Sequence, residues 1–402
     1  MTEQPFFSIL ILTGVLTLAS SITLASDSAA SADQHRSTDQ SRRGTQTMLF
    51  WTAEEKSTGF ATIASLFPTR PIPGSLQPRK LPEQLVDLDT FSYEFGDQNW
   101  DLKSHMLAQR TAGILVIHNG NIVVEEYGLD HSADQTWVSF SVTKSVVSLL
   151  YGAALKDGFL ATVDAPVTDY LPEFKNTAYA AVSIKNILQM ASGVAWNEDY
   201  ADRQSNIANL PIEQGAGFAY MGKLPRLAPV GQRFNYNTGE TNIAGAILRK
   251  AISGNLSDYA STKIFQPAGL SDSAFWMLDA PDGNEFAGCC ISATLRDYGR
   301  LGLFALEHSL GDVQDSPFPS GWLQESTSPS QGSADYGYFW WLLGDGIYAA
   351  EGIFGQIILI DPRRNLVIAL QSAWQDAWSD SSEAQTMALF QGLVEFLTQP
   401  RQ

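Results

Sequence analysis

The sequence predicts an α+β fold, with one antiparallel sheet assembled from both ends of the chain, helices flanking it, and a helical subdomain inserted at about residues 160–290. Three observations lead there. Strand-like apolar runs joined by turn residues occur near 113–127 and again near 338–370. The stretch between them reads as helical fragments broken by Gly, Pro and Asn. An amphipathic helix pattern closes the chain over Ser382 to Leu397.

The first strand pair is Gly113 to Ile117 and Ile122 to Tyr127, joined by His118-Asn119-Gly120-Asn121. An Asn-Gly pair between two apolar runs is a strong hairpin signal, because both residues tolerate the positive φ of a tight turn. Ser141 to Asp157 then has helical spacing, with Val142, Val146, Leu149, Leu150 and Ala153 apolar and Gly158 beyond its end. Further helices are expected over 183–190, closed by Ser192-Gly193, over 240–252, closed by Gly254, and within 290–306. Tyr338 to Leu343 reads as an aromatic strand. Gln356 to Ile360 and Leu366 to Leu370 flank the turn-like Asp361-Pro362-Arg363-Arg364-Asn365.

The chain has 402 residues, 44% of them hydrophobic, with ten tryptophans, enough for a sizeable core. Its formal charge of −18 argues against nucleic acid as a partner and against anionic membrane surfaces. The two cysteines, Cys289 and Cys290, are adjacent. Neighbouring Cα atoms lie closer than ordinary disulfide geometry favours, so no intrachain disulfide is expected. Two neighbours alone cannot make a zinc site, and neither a metal nor a cofactor is expected. Residues 1–25 read as a signal peptide, with an apolar run from Phe6 to Leu18 and small residues up to Ala25. That implies a periplasmic or secreted protein. The absence of Lys or Arg before the run leaves an N-terminal membrane anchor as the alternative. Residues 26–47 read as a flexible tether, 48–110 as an N-terminal extension with five prolines between Pro68 and Pro82, and 111–400 as the main domain.

Acyl transfer by serine needs a nucleophile, a base and oxyanion donors. Ser141-Val142-Thr143-Lys144 supplies the first two, because residues three apart share a helix face. Of the ten lysines, Lys144 alone has Ser three residues before it. A helix start at Ser141 aims backbone N–H groups at the site, and burial there would favour a neutral amine. Two further stretches join it. Tyr236 lies in the Gly-bounded loop Gly231 to Glu240, and Glu351-Gly352-Ile353-Phe354-Gly355-Gln356 leads into a strand. Glycines there allow close approach of a substrate.

Together these motifs carry a resemblance. Ser139-Phe-Ser141-Val-Thr-Lys144-Ser145, Leu171-Pro172-Glu173, Ile187 through Gly193, Cys289 through Tyr298 and Gly352 through Gln356 resemble the class C β-lactamase-related serine hydrolases, and within them the 6-aminohexanoate-dimer hydrolase branch. The resemblance spans about 110–400. It implies a β-lactamase/transpeptidase-like fold, Ser141 as nucleophile, Lys144 as base, and Tyr236 relaying a proton to the leaving group. It implies an oxyanion hole from the backbone N–H groups of Ser141 and Gln356, with Tyr200, Asn237 and Gly355 contacting substrate. Two departures bear on substrate. The family's Tyr-x-Asn reads Tyr236-Asn237-Thr238, and its Lys-Thr-Gly box reads Ile353-Phe354-Gly355. Loss of that cation disfavours a substrate held by its carboxylate. The expected reaction is hydrolysis of a small ester or amide. The alternatives are β-lactamase or D-amino-acid peptidase activity, or a non-catalytic binding protein keeping the fold. A Ser-His-Asp hydrolase fits poorly, since no Gly-x-Ser-x-Gly surrounds Ser141 and only His308 follows in the required order. Oligomeric state is open.

Overall fold

The computed structural model describes residues 48–212, 215–271 and 273–399. The expected signal peptide and tether, residues 1–47, lie outside them. The described residues fall in one compact unit.

Twelve strands are present among the described residues, β1 Thr69–Pro71, β2 Tyr93–Phe95, β3 Gln98–Trp100, β4 Thr111–His118, β5 Asn121–Tyr127, β6 Trp137–Val138, β7 Phe275–Met277, β8 Ile291–Ala293, β9 Trp341–Leu342, β10 Tyr348–Gly352, β11 Gln356–Asp361 and β12 Leu366–Ser372. The main sheet has the order β5-β4-β12-β11-β10-β9 and is antiparallel throughout. It thus joins the early hairpin to the last strands, as the sequence predicts. A second sheet, β1-β7-β8-β6, was not foreseen, and it delivers the chain to Ser141. The β4–β5 turn carries φ +52 at Asn119 and +78 at Gly120, which is why Asn-Gly suits it. The aromatic run 338–343 contributes only the two residues of β9, because Phe339 turns left-handed (φ +60).

Both faces of the main sheet are buried. On β4, Ile114 and Val116 point to one side and Leu115 and Ile117 to the other. The first set packs under the C-terminal helix Asp380–Thr398 through Leu389, Phe390 and Leu393. The second meets the helices Val142–Lys156 and Leu295–Ser309. Every residue of the former from Val142 to Ala154 is buried, so it runs through the interior. The helix Thr238–Ile252 packs across it. That helix ends on Ser253 in the left-handed conformation (φ +52), one residue earlier than the expected Gly254 cap. Between residues 160 and 290 short helices dominate, although β7 also falls there.

One expectation is corrected here. Cys289 and Cys290 are joined by a disulfide, with Cα atoms 3.7 Å apart. The short span is bridged because Cys290 adopts φ +82, which swings the two side chains together. The sequence argument considered only ordinary backbone geometry.

The helix Leu295–Ser309 lies against the sheet through two glycines. A Cβ at Gly302 would sit 2.8 Å from an Ile358 methyl and closer still to Val367. Gly302→Ala should therefore destabilise the protein by about 1–3 kcal/mol through overpacking. Gly254→Ala, with no neighbour nearer than 3.8 Å, should change stability little. Chemical denaturation of both variants checks this, and equal midpoints would contradict the packing account.

Candidate active site

Ser141 enters the site from β6 through a strained turn. Phe140, just before it, has φ +44, an uncommon conformation for a bulky residue. The Phe140 ring pays for this by packing at 5.0 Å from Phe60 and 5.3 Å from Phe354, in a buried aromatic cluster. The Ser139 N–H donates to the Ile291 carbonyl on β8 at 2.8 Å. Ser141 itself occupies the N-cap position with helical dihedrals, and its side chain makes no capping bond. Its hydroxyl is left for other work.

That hydroxyl meets Lys144. Lys144 Nζ lies 2.7 Å from Ser141 Oγ, donates to the Gly288 carbonyl at 2.7 Å, and lies 3.0 Å from Thr238 Oγ1. The amine also sits 5.0 Å from the centre of the Tyr236 ring. Lys144 is 1% exposed. Burial pulls its pKa down to about 7, and the negative charge of Glu198 opposes the shift without cancelling it. Tyr236 completes the trio, lining the same cleft as Ser141 with its ring beside the Lys144 amine. Burial, and then Glu198, push the Tyr236 phenol above its usual range, so it stays protonated at neutral pH.

Glu198 was not singled out from the sequence. It is in fact the hub beneath Lys144. It accepts from the Tyr200 hydroxyl and the Thr238 N–H, both at 3.0 Å, and from the Trp196 indole and the Thr238 hydroxyl. Thr238 thereby stands at the third place of the Tyr-x-Asn pattern and faces the lysine. The usable signal was its spacing, two residues after Tyr236.

The predicted site residues separate into two groups. Ser141, Lys144, Tyr236 and Tyr200 come together, and Ser141, Tyr200 and Tyr236 line a cleft of about 760 Å³. Asn237, Gly355 and Gln356 do not line it. Asn237 is a buried helix cap, accepting from the Glu240 N–H at 3.1 Å. Gly355 (φ +82) lies flat against Trp374, where a Cβ would collide with the indole. Gln356 pairs with Gly352 across the β10–β11 hairpin. Its side chain braces the turn, donating to the carbonyls of Phe354 at 3.1 Å and Ser372 at 2.7 Å. Gln356, expected as an oxyanion donor, is thus not among the residues that line the cleft. Gly352 is the residue against Ser141, since a Cβ there would lie 3.0 Å from Ser141 N. Ile353 follows it on the cleft wall. The Gly-Ile-Phe-Gly turn leads into β11 as expected and forms the tip of the β10–β11 hairpin.

The N-terminal extension also reaches the site. Leu49, Phe50, Trp51 and Lys56 line the cleft. On the other side of Ser141 a smaller, mostly apolar recess is walled by Phe140, Ile207, Phe286 and the Cys289–Cys290 pair. Among the described residues no group of three or more His, Cys, Asp or Glu side chains could hold a metal ion, and no helix is long and apolar enough to cross a membrane.

Comparison with known proteins follows the same lines. Residues 102–391 match the family described as Beta-lactamase. A 6-aminohexanoate-dimer hydrolase from Paenarthrobacter ureafaciens is 24% identical over 361 residues, covering 83% of this chain and 89% of that protein. Among solved structures, a Bacillus anthracis protein assigned as a 6-aminohexanoate-dimer hydrolase superposes with a TM-score of 0.75 at 20% identity, over 86% of this chain and 95% of that one. A family VIII carboxylesterase superposes with a TM-score of 0.53 at 15% identity, over 70% and 92% of the two chains. The family match covers well over half of the sequence, and the structural neighbours share its fold. This chain therefore belongs to the beta-lactamase family and is a β-lactamase-related serine hydrolase.

Proposed function

We propose that the protein hydrolyses small esters or amides through an acyl-enzyme on Ser141. The observation that carries this reading is the buried Lys144 amine, 2.7 Å from the Ser141 hydroxyl and with a pKa near 7. A neutral amine at that distance can take the serine proton as Oγ attacks the substrate carbonyl carbon. The carbonyl oxygen becomes an oxyanion, held by the N–H groups of Ser141 and Ile353. Neither N–H is engaged in a hydrogen bond. The tetrahedral intermediate collapses as the bond to the leaving alcohol or amine breaks. The leaving group takes a proton from the Tyr236 phenol, which is refilled from Lys144. Water then attacks the acyl-enzyme, with the same groups returning its proton to Ser141 as the carboxylic acid departs. Tyr236 acts as a relay and not as a phenolate base, because its environment holds the proton on. Tyr200 lines both recesses beside Ser141 and is placed to contact substrate on either side of the scissile bond.

The substrate class follows from what borders Ser141. The cation of a Lys-Thr-Gly box is missing, and Ile353 and Glu351 stand on that wall instead. The carboxylate of a β-lactam would find an apolar side chain and another carboxyl group there, with no box cation to pair with. Ester or amide substrates, including aminohexanoate-oligomer-like amides such as the relatives' names indicate, fit better.

Three outcomes are expected. Ser141→Ala should abolish both turnover of short-chain nitrophenyl esters and labelling by a fluorophosphonate. Lys144→Ala should lower kcat/KM by about 100- to 10,000-fold, the usual contribution of a general base. Full turnover in either variant would remove the mechanism. The second outcome concerns pH. Below pH 7 Lys144 is an ammonium and cannot accept a proton, so kcat/KM should rise through about pH 7 and level above it. A profile flat between pH 5 and 9 would contradict a lysine base. The third is substrate rank. Esters or aminohexanoate oligomers should turn over faster than nitrocefin, and the reverse order would overturn the substrate reading.

A further inference from the structure

We propose that Glu351 is the recognition site for a protonated amine, so that the cleft selects molecules carrying an ammonium group. This deepens the hydrolase reading of the same cleft and rests on it for the identity of the bound molecule as substrate or product.

Glu351 is the penultimate residue of β10, immediately before the glycine that touches Ser141 N. Its side chain lines the cleft, yet the residue is only 7% exposed. Oε1 is sealed from solvent and accepts no hydrogen bond. Among the described residues no lysine or arginine pairs with it. The charge that acts on it is Glu383, of the same sign, in the first turn of the C-terminal helix. Other buried carboxyls have a partner on at least one oxygen, although Oε2 of Glu240 and of Glu285 also lacks a hydrogen bond. Glu285 pairs with Arg70 and Arg249, Asp297 with Arg300, and Glu240 accepts from Ser192 and Tyr179. A buried carboxyl without a partner is costly. Burial and Glu383 push its pKa up to about 8, which is the chemical expression of that deficit. A donor arriving from the cleft would remove it.

The character of the cleft selects which donor. Its own cations are already committed. Lys56 donates to the carbonyls of Trp374 and Gln375, and the Arg203 guanidinium lies 4.0 Å from the centre of the Phe50 ring. Asp199 and Asp376 add negative charge to the same walls. Such a lining concentrates cations. Trp341 and Trp378 also face the cleft, and aromatic faces attract ammonium groups. No trio of potential metal ligands occurs among the described residues, so an organic cation with N–H donors fits better than a metal ion.

Calorimetric titration of the full chain with hexylammonium chloride and with 1-hexanol tests the site. The wild type should bind hexylammonium about tenfold or more tightly than hexanol, and Glu351→Gln should lose that preference. Ser141→Ala should keep it. Because the glutamine removes an unpaired carboxyl, its Tm should match or exceed that of the wild type, whereas loss of a structural group would lower it. Equal binding of the two probes by the wild type overturns the proposal whatever the fate of the variant, and so does an undiminished preference in Glu351→Gln. If amine binding behaves as expected while the wild type turns over no ester or amide, the hydrolase reading fails and the cation site stands.

Discussion

Burial of one amine organises this protein. Lys144 is enclosed on the central helix, and an ammonium in that position would face a large desolvation cost. The surroundings supply only three close polar neighbours, the Ser141 hydroxyl, the Thr238 hydroxyl and the Gly288 carbonyl. That is enough to orient the amine and too little to hold it fully charged. Glu198 pulls the other way, since its charge favours the ammonium. Burial prevails, and the balance leaves an amine with a pKa near 7.

The second feature is strain concentrated around Ser141. Phe140, Phe354 and Cys290 all adopt positive φ; Phe140 and Cys290 line the recess beside Ser141, and Phe354 packs on Phe140. Such conformations persist only where the surroundings over-determine them. Here the Phe60–Phe140–Phe354 cluster does so for two of them, with ring centres 5.0–5.3 Å apart. The disulfide ties down the third and closes one wall of the apolar recess. The result fixes Ser141 beside the β10–β11 hairpin tip, where a Cβ on Gly352 would lie 3.0 Å from Ser141 N.

Around this rigid centre the cleft is built from segments far apart in the chain. The N-terminal extension contributes Phe50, Trp51 and Lys56, the inserted region contributes Glu198, Tyr200 and Tyr236, and the C-terminal strands contribute Glu351 and Ile353. The catalytic core sits within the matched family region, whereas one wall comes from outside it. At the sheet edge Ile353 stands beside Glu351 on the same cleft, where the family's box would place a cation.

The amino-acid sequence by itself determined the α+β order of elements, the β4–β5 hairpin and the helix carrying Ser141 and Lys144. These depend on local periodicity, turn chemistry and a three-residue spacing, all of which act over a few neighbouring residues. It also showed Tyr236 as a partner through a resemblance of motif order. Other features were decided only by the tertiary structure. Glu198 meets Thr238 across 40 positions, and Gly288 meets Lys144 across 144. No local pattern encodes such meetings. The hairpin register pairs Gln356 with Gly352 and leaves Ile353 on the cleft wall, a pairing between strands that side-chain periodicity alone does not fix. Asn237 became a helix cap and Gly355 a packing surface for the same reason: residues adjacent in sequence to a site residue can face away from it. The bonded cysteines follow too, since Cys290 reaches φ +82 only where the fold holds it there.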